Sequence, residues 1–162
     1  MLNFVMNSLP IDILALKSVT GFGYPEPVAS RMGDAAWRAL GDHFGLSQLG
    51  ASHETLQPGA QSSVCHWHTT TDELVVMLSG ELVLRPDGEE HIMRAGQCVG
   101  FKAGASRGHH LVNRSSQEAT FIVVGTRLQG DSAHYPEDDL AMLRDDSGRH
   151  WVHKSGTPYP GV

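Results

Sequence analysis

The chain has 162 residues, enough for one domain with a proper core, and its 40% apolar content argues against both disorder and a membrane class. Twelve Lys and Arg against 18 Asp and Glu leave a formal charge of -6, with no basic cluster, which excludes an ordinary nucleic-acid-binding surface. Eighteen glycines and eight prolines, placed as turn signals through the middle of the chain, indicate many short strands.

Residues 1–20 read as an N-terminal strand or arm, and residues 21–162 as one domain. The first 16 residues are apolar, but Pro10 and Asp12 interrupt them and no basic residue precedes Lys17. That makes a poor signal peptide and is too short to span a bilayer, so a cytoplasmic protein is expected, with the Asn113-Arg114-Ser115 sequon idle. Cys65 and Cys98 form no CxxC and are read as free thiols. Residues 21–27 carry two glycines and two prolines and form a loop. In residues 35–44, Ala36, Trp37, Leu40 and Phe44 recur at helical spacing behind Asp34, which predicts a short helix. Residues 46–56 read as extended, with a turn at Pro58-Gly59.

From Ser62 the rhythm is strand, turn, strand. Residues 64–68 and 73–78 are short strands. Residues 81–85 and 89–94 pair across Pro86-Asp87-Gly88, a strong hairpin signal. Residues 97–101 follow the Ala95-Gly96 turn, and residues 109–113 follow a glycine-bounded loop. Residues 120–126 are β-branched and apolar and read as a buried strand. The tail holds an acidic patch at Glu137, Asp138 and Asp139, a short helix near residues 140–144, and a last strand near residues 149–154. Strands at these intervals predict an all-β antiparallel sandwich or barrel with little helix.

The chemistry concentrates in residues 66–113. Alternate residues of a strand face one side, so His66 and His68 project together and Trp67 projects oppositely. Glu73 opens the next strand, and a closed sheet brings in His109. Three imidazoles and a carboxylate suit a divalent ion such as Zn, Fe, Mn, Ni or Cu. They leave positions open for water or substrate if the ion takes five or six ligands, whereas tetrahedral zinc would be filled.

These residues resemble the two motifs of the cupin superfamily. The first runs Gly59-x(6)-His66-x-His68-x(4)-Glu73-x(6)-Gly80, and the second Gly96-x(5)-Lys102-x-Gly104-x(4)-His109-x(3)-Asn113. The resemblance implies a β-barrel, a double-stranded β-helix or jelly roll, with His66, His68, Glu73 and His109 as metal ligands and Asn113 as an inward residue near the site. Three departures stand out. The first gap has six residues where five are usual, Lys102 replaces a proline, and four residues rather than two separate Gly104 from His109. The extra pair leaves His109 and His110 as alternatives; spacing to Asn113, and the face shared by His109, Leu111 and Asn113, favour His109. Flanking stretches such as Tyr24-Pro25-Glu26-Pro27 and His153-Lys154-Ser155-Gly156 are similar to a group of bacterial single-domain cupins, some labelled sugar-phosphate isomerases. The family often forms homodimers, which makes the N-terminal arm a candidate dimer contact.

Three functions follow as expectations. The first is a metal-dependent enzyme on a small polar substrate, with isomerisation of a sugar or sugar phosphate as the named case. The second is an iron-dependent dioxygenase, and the third a binding or sensing module without turnover. Cationic groups near the metal favour the first, an apolar aromatic pocket the second, and a sealed pocket the third. No general base is evident from spacing. Lys102 is placed in a loop near the pocket mouth, and Arg114 and Arg127 are weighed as phosphate contacts against solvated positions.

Overall fold

A computed structural model describes residues 9–160. The expected arm lies partly outside the described residues. What is described of it is a single 3-10 turn, Ile13–Ala15, whose Leu14 N–H donates to Asp12 Oδ1 at 2.9 Å, and the two-residue strand β1 (Val19–Thr20). Then come β2 (Ala35–Ala39), the four-residue helix α1 (Leu40–His43) and β3 (Leu49–Leu56). The motif region supplies β4 (Trp67–His68), β5 (Glu73–Ser79), β6 (Glu81–Leu84), β7 (His91–Arg94), β8 (Cys98–Phe101) and β9 (Leu111–Val112). The chain continues with β10 (Ala119–Thr126), β11 (Ser132–Tyr135), β12 (Leu140–Asp145) and β13 (Gly148–Val152).

The strands form a six-stranded sheet in the order β1-β2-β3-β10-β5-β8, a four-stranded sheet β13-β12-β11-β4 and a three-stranded sheet β7-β6-β9. Every strand pairing is antiparallel. The expected all-β architecture with little helix is thus present.

Two expected helices are strands. Residues 35–39 pair with β3 instead, with Trp37 opposite Glu54, and only one helical turn follows. That turn is pressed onto β3: a Cβ on Gly41 would lie 2.9 Å from the Ala51 backbone nitrogen. Residues 140–145 run between β11 and β13. Their burial has period two, with Leu140 and Met142 buried and Leu143 45% exposed, so the apparent i, i+3 pair Leu140 and Leu143 falls on opposite faces. In both cases long-range pairing outweighs a weak local helical pattern.

The register sets what faces inward on the large sheet. Across β3, β10 and β5, one row is Glu54, Phe121 and Met77, the next Ser52, Val123 and Val75, and the next Gly50, Gly125 and Glu73. Phe121, Met77, Leu56, Leu82 and Ala119 form the heart of one apolar cluster, which joins this face to the β6 sheet. A second cluster gathers Val28, Met32 and Val64 against Tyr135, Leu140, Met142 and Trp151. Between the clusters the inner face turns polar, and there the chemistry sits.

Candidate metal centre

His66 and His109 are brought together by backbone pairing: each N–H donates to the other's carbonyl, at 3.2 and 2.9 Å, and their ring centroids lie 4.8 Å apart. His68 follows on β4, and Glu73 opens β5 after a four-residue loop. Donor atoms of His66, His68 and Glu73 lie within 4.8 Å of one another, a group able to hold a metal ion. The Nε2 atoms of His66 and His68 stand 3.9 and 3.8 Å from carboxylate oxygens of Glu73. His109 Nε2 lies 3.1 Å from Glu73 Oε2, and its ring stacks on Phe101, the cross-strand partner of Glu73, at 3.5 Å between centroids. His110 forms no hydrogen bond or ion pair with Glu73 among the described residues; it is buried, its Nδ1 has no partner, and burial lowers its pKa.

The second ring nitrogens fix the tautomers. His68 Nδ1 donates to Asp131 Oδ2 at 2.7 Å, and His66 Nδ1 to the Val64 carbonyl at 3.1 Å. A carboxylate and a carbonyl only accept, so Nδ1 carries the proton in both rings and Nε2 presents a lone pair towards Glu73. Asp131 also accepts from the Thr70 N–H and from the hydroxyls of Thr69 and Thr70, which ties down the loop between His68 and Glu73. The electrostatics suit cation binding. Burial drives the His66 pKa down to about 3 and keeps the ring neutral. Burial opposes the charge on Glu73, but the hydrogen bond from His109 and the nearby imidazoles hold its carboxyl at about 2. Imidazole nitrogens of His66 and His68 beside one ionised carboxylate fit a divalent ion, and His109, whose Nε2–H donates to Glu73, lies next to them.

The site opens into a cavity of about 210 Å³, below the roughly 300–1,000 Å³ typical of drug-sized ligands. Its aromatic wall includes Tyr24, Tyr135 and Trp151, with Tyr24 and Trp151 4.8 Å apart. Burial raises the Tyr24 pKa to about 12 and that of Tyr135 well above its usual value, so both keep their phenolic protons. Glu54, Arg144 and Arg149 also line it. Read as part of a helix, Arg144 has no defined direction. On β12 it shares the face of Leu140 and Met142, and it sits directly opposite Arg149 on β13. None of Glu54, Asp131, Arg144 and Arg149 carries a motif signal; strand register places Glu54, Arg144 and Arg149 here, and the Thr69–Ser132 backbone bond brings Asp131, just before β11, beside His68.

Other expected residues are also placed. Lys102 lines a second cavity of about 230 Å³ that shares His68, Glu73 and His109. Arg114 pairs with Glu90, and Arg127 with Asp42, so both are engaged on the surface. Asn113 is wholly buried and donates to the carbonyls of Leu56 and Gln117 at 2.8 Å; it ties chain segments together and lines none of the cavities described. Trp67 stacks on His134 at 4.5 Å. Cys65 is buried, with its thiol pushed up to about 11 by burial, and Cys98 is exposed; neither is bonded to the other. Among the described residues, no helix is long and apolar enough to cross a membrane.

Comparison with known proteins adds to this geometry. A family model described as Cupin domain matches residues 52–125. A crystal structure from Silicibacter pomeroyi, described as a sugar phosphate isomerase from a cupin superfamily, superposes with a TM-score of 0.88 at 38% identity, covering 94% of this chain and 98% of that one. A structure from Acidithiobacillus ferrooxidans, named only provisionally as a sugar phosphate isomerase, gives 0.70 at 25% identity, over 80% of this chain and 83% of that one. A predicted oxalate decarboxylase from Thermotoga maritima gives 0.60 at 17% identity, over 74% and 100%, a likeness of fold alone. No curated protein matches the chain.

Proposed function

Because the chain belongs to the cupin superfamily, we propose that it is a metal-dependent enzyme acting on a small anionic substrate, with isomerisation of a sugar phosphate as the named reaction. The proposed donors are His66, His68, Glu73 and His109, each imidazole having its Nε2 within 3.9 Å of a Glu73 carboxylate oxygen. The ion is divalent, and imidazole with carboxylate suits Zn, Fe, Mn or Ni. When bound, it supplies Lewis-acid stabilisation of charge developing on adjacent substrate oxygens.

The observation that carries the anionic substrate is the arginine pair. Like charges directly opposite on paired strands repel, yet Arg144 faces Arg149 on the cavity side. Among the described residues neither forms an ion pair. Arg149 is held in place by donating to the Phe22 carbonyl at 3.2 Å and by lying over the Trp151 ring at 5.1 Å. A phosphate between the two guanidiniums relieves the repulsion and anchors a substrate whose other end reaches the imidazoles. The sugar phosphate isomerase descriptions of the Silicibacter and Acidithiobacillus structures point the same way. The competing dioxygenase reading draws on the aromatic wall, but two unpaired cations suit an apolar substrate poorly.

The test is elemental analysis of untagged protein, with oxygen uptake and turnover of three- to six-carbon sugar phosphates measured on the same sample. Stoichiometric divalent metal with turnover and no oxygen uptake is expected. Iron with substrate-dependent oxygen uptake would replace this reading with the dioxygenase. Metal-free protein after reconstitution, or full metal in the His66→Ala/His68→Ala double variant, would remove the metal site itself.

A further inference from the structure

We propose that Glu54 is the catalytic acid-base of this pocket, carrying a proton between neighbouring carbons of the substrate. This rests on the isomerase reading above and supplies the base that the motifs lack. Glu54 stands on the inner face of β3, in a row with Phe121 and Met77 that otherwise belongs to the apolar core. An acid there is costly unless it is paired or used. Among the described residues its carboxyl has one hydrogen-bond partner, the Ser52 hydroxyl, which donates to Oε1 at 2.9 Å, and no ion pair. It lines the same cavity as His66, His68 and Glu73 but is not grouped with the metal donors. The second oxygen accepts no hydrogen bond among the described residues, and Glu54 also lines the neighbouring cavity that holds Glu73, Arg144 and Arg149.

The charges around it tune it for proton transfer. From β5 the cavity receives Glu73, from β12 and β13 it receives Arg144 and Arg149, and the phenols of Tyr24 and Tyr135 close the wall. The metal-binding imidazoles of His66 and His68 face the same space. Burial and the negative charge of Glu73 raise the Glu54 pKa to about 7, against the opposing hydrogen bond from Ser52. A carboxyl raised in this direction suits a group that must take a proton and return it.

In the step itself, ionised Glu54 removes the proton from the carbon beside the substrate carbonyl. The C–H electron pair becomes the carbon–carbon double bond of an enediolate, and the carbonyl electrons move onto oxygen. The Glu54 carboxyl proton exchanges with solvent while the enediolate persists, and Glu54 then protonates the former carbonyl carbon, while a hydroxyl proton moves between the two oxygens. The substrate is rearranged with no external oxidant or reductant.

The test uses metal-loaded full-length protein in D₂O, with three- to six-carbon aldose and ketose phosphates as probes and deuterium at the substrate carbon as readout. Wild type is expected to incorporate deuterium. Glu54→Gln, which keeps the shape and the Ser52 contact, is expected to retain stoichiometric metal and to lose exchange by about 10²–10⁴-fold, the usual contribution of general acid-base catalysis. Exchange at the wild-type rate in metal-loaded Glu54→Gln overturns the role of Glu54 while leaving the isomerase reading intact. No turnover by wild type with any probe overturns the isomerase reading and this role with it, and turnover without deuterium uptake overturns the role of Glu54 alone. If Glu54→Gln does not fold, Ser52→Ala decides. Loss of its hydrogen bond to the charged form is expected to move the acidic limb of kcat/KM to higher pH, and an unmoved limb overturns the assignment.

Discussion

At the centre, the His66 and His68 imidazoles are steered by what their other nitrogens touch. Asp131 holds the His68 ring by its Nδ1 proton and gathers the loop that delivers Glu73. Asp131→Asn keeps the shape but lets the tautomer and ring relax. Metal affinity is expected to fall by about 10–100-fold in a chelator competition, and unchanged affinity would show that the contact is incidental. The same residues set the acid response of the metal-free protein. Burial holds the folded-state pKa of His66 at about 3, below the ordinary imidazole value of 6.5. The unfolded chain therefore binds a proton that the folded chain refuses, and stability falls as pH drops from about 6.5 towards 3. His53 and His110, also lowered by burial, add in the same direction. His68 acts oppositely: burial lowers its pKa, but the bond to Asp131 raises it further. Its stabilisation is complete below about 6.5 and is lost as pH rises through its folded value. The urea midpoint of apo protein should thus decline below pH 6.5, and His66→Gln should make that decline shallower. An equal slope would mean that the ring is not buried in solution.

At the scale of elements, the isomerase reading gives the β12–β13 hairpin a part in substrate capture as well as in the fold. Its inward face carries Met142 and Trp151 deep in a core cluster and the two arginines at the cavity. The arginines are themselves exposed, so their attraction for an anion is screened by salt. Arg144→Ala is expected to weaken binding of inorganic phosphate severalfold at low ionic strength, with Tm unchanged or slightly higher because a repulsive cross-strand pair is gone. A clear drop in Tm with unaltered phosphate binding would make Arg144 a structural residue. The short β4 works the same way from the other side. It pairs with β11 at His68 and Ala133, so the sheet that carries the arginines also carries a metal donor.

Over the whole molecule, β10 is the strand that most contacts depend on. It lies between β3, which carries Glu54, and β5, which carries Glu73. Phe121 at its centre is fully buried and reaches both the main core and the cavity wall. Phe121→Ala removes a large ring from a packed interior and is expected to cost about 3–5 kcal/mol, read as a lower denaturation midpoint with a native-like m-value. A loss under about 1 kcal/mol would mean that the neighbours collapse into the space or that the cavity already admits water there.

The metal donors were legible in the sequence because His66 and His68 are two residues apart on a strand, a spacing that the period of two translates directly into a shared face. The hairpin at Pro86-Asp87-Gly88 and the strand of residues 119–126 were legible for the same local reason, since turn chemistry and β-branching act over a few residues. Between His109 and His110, spacing and strand parity favoured His109, and the pairing of His109 with His66, 43 residues apart in the chain, adds support that is visible only as a β-bridge. Residues 35–39 and 140–145 looked helical because their apolar spacing is ambiguous over so few positions. What made them strands was a partner on each side, which no local pattern encodes. Glu54, Asp131, Arg144 and Arg149 were invisible for a related reason. Each is an ordinary charged residue in sequence, and its direction follows from backbone pairing with a distant segment. The sequence by itself determined the all-β class and singled out the candidate donors through short-range periodicity. Only the tertiary structure decided which acid and which cations share the donors' cavity, because that depends on strands being brought side by side.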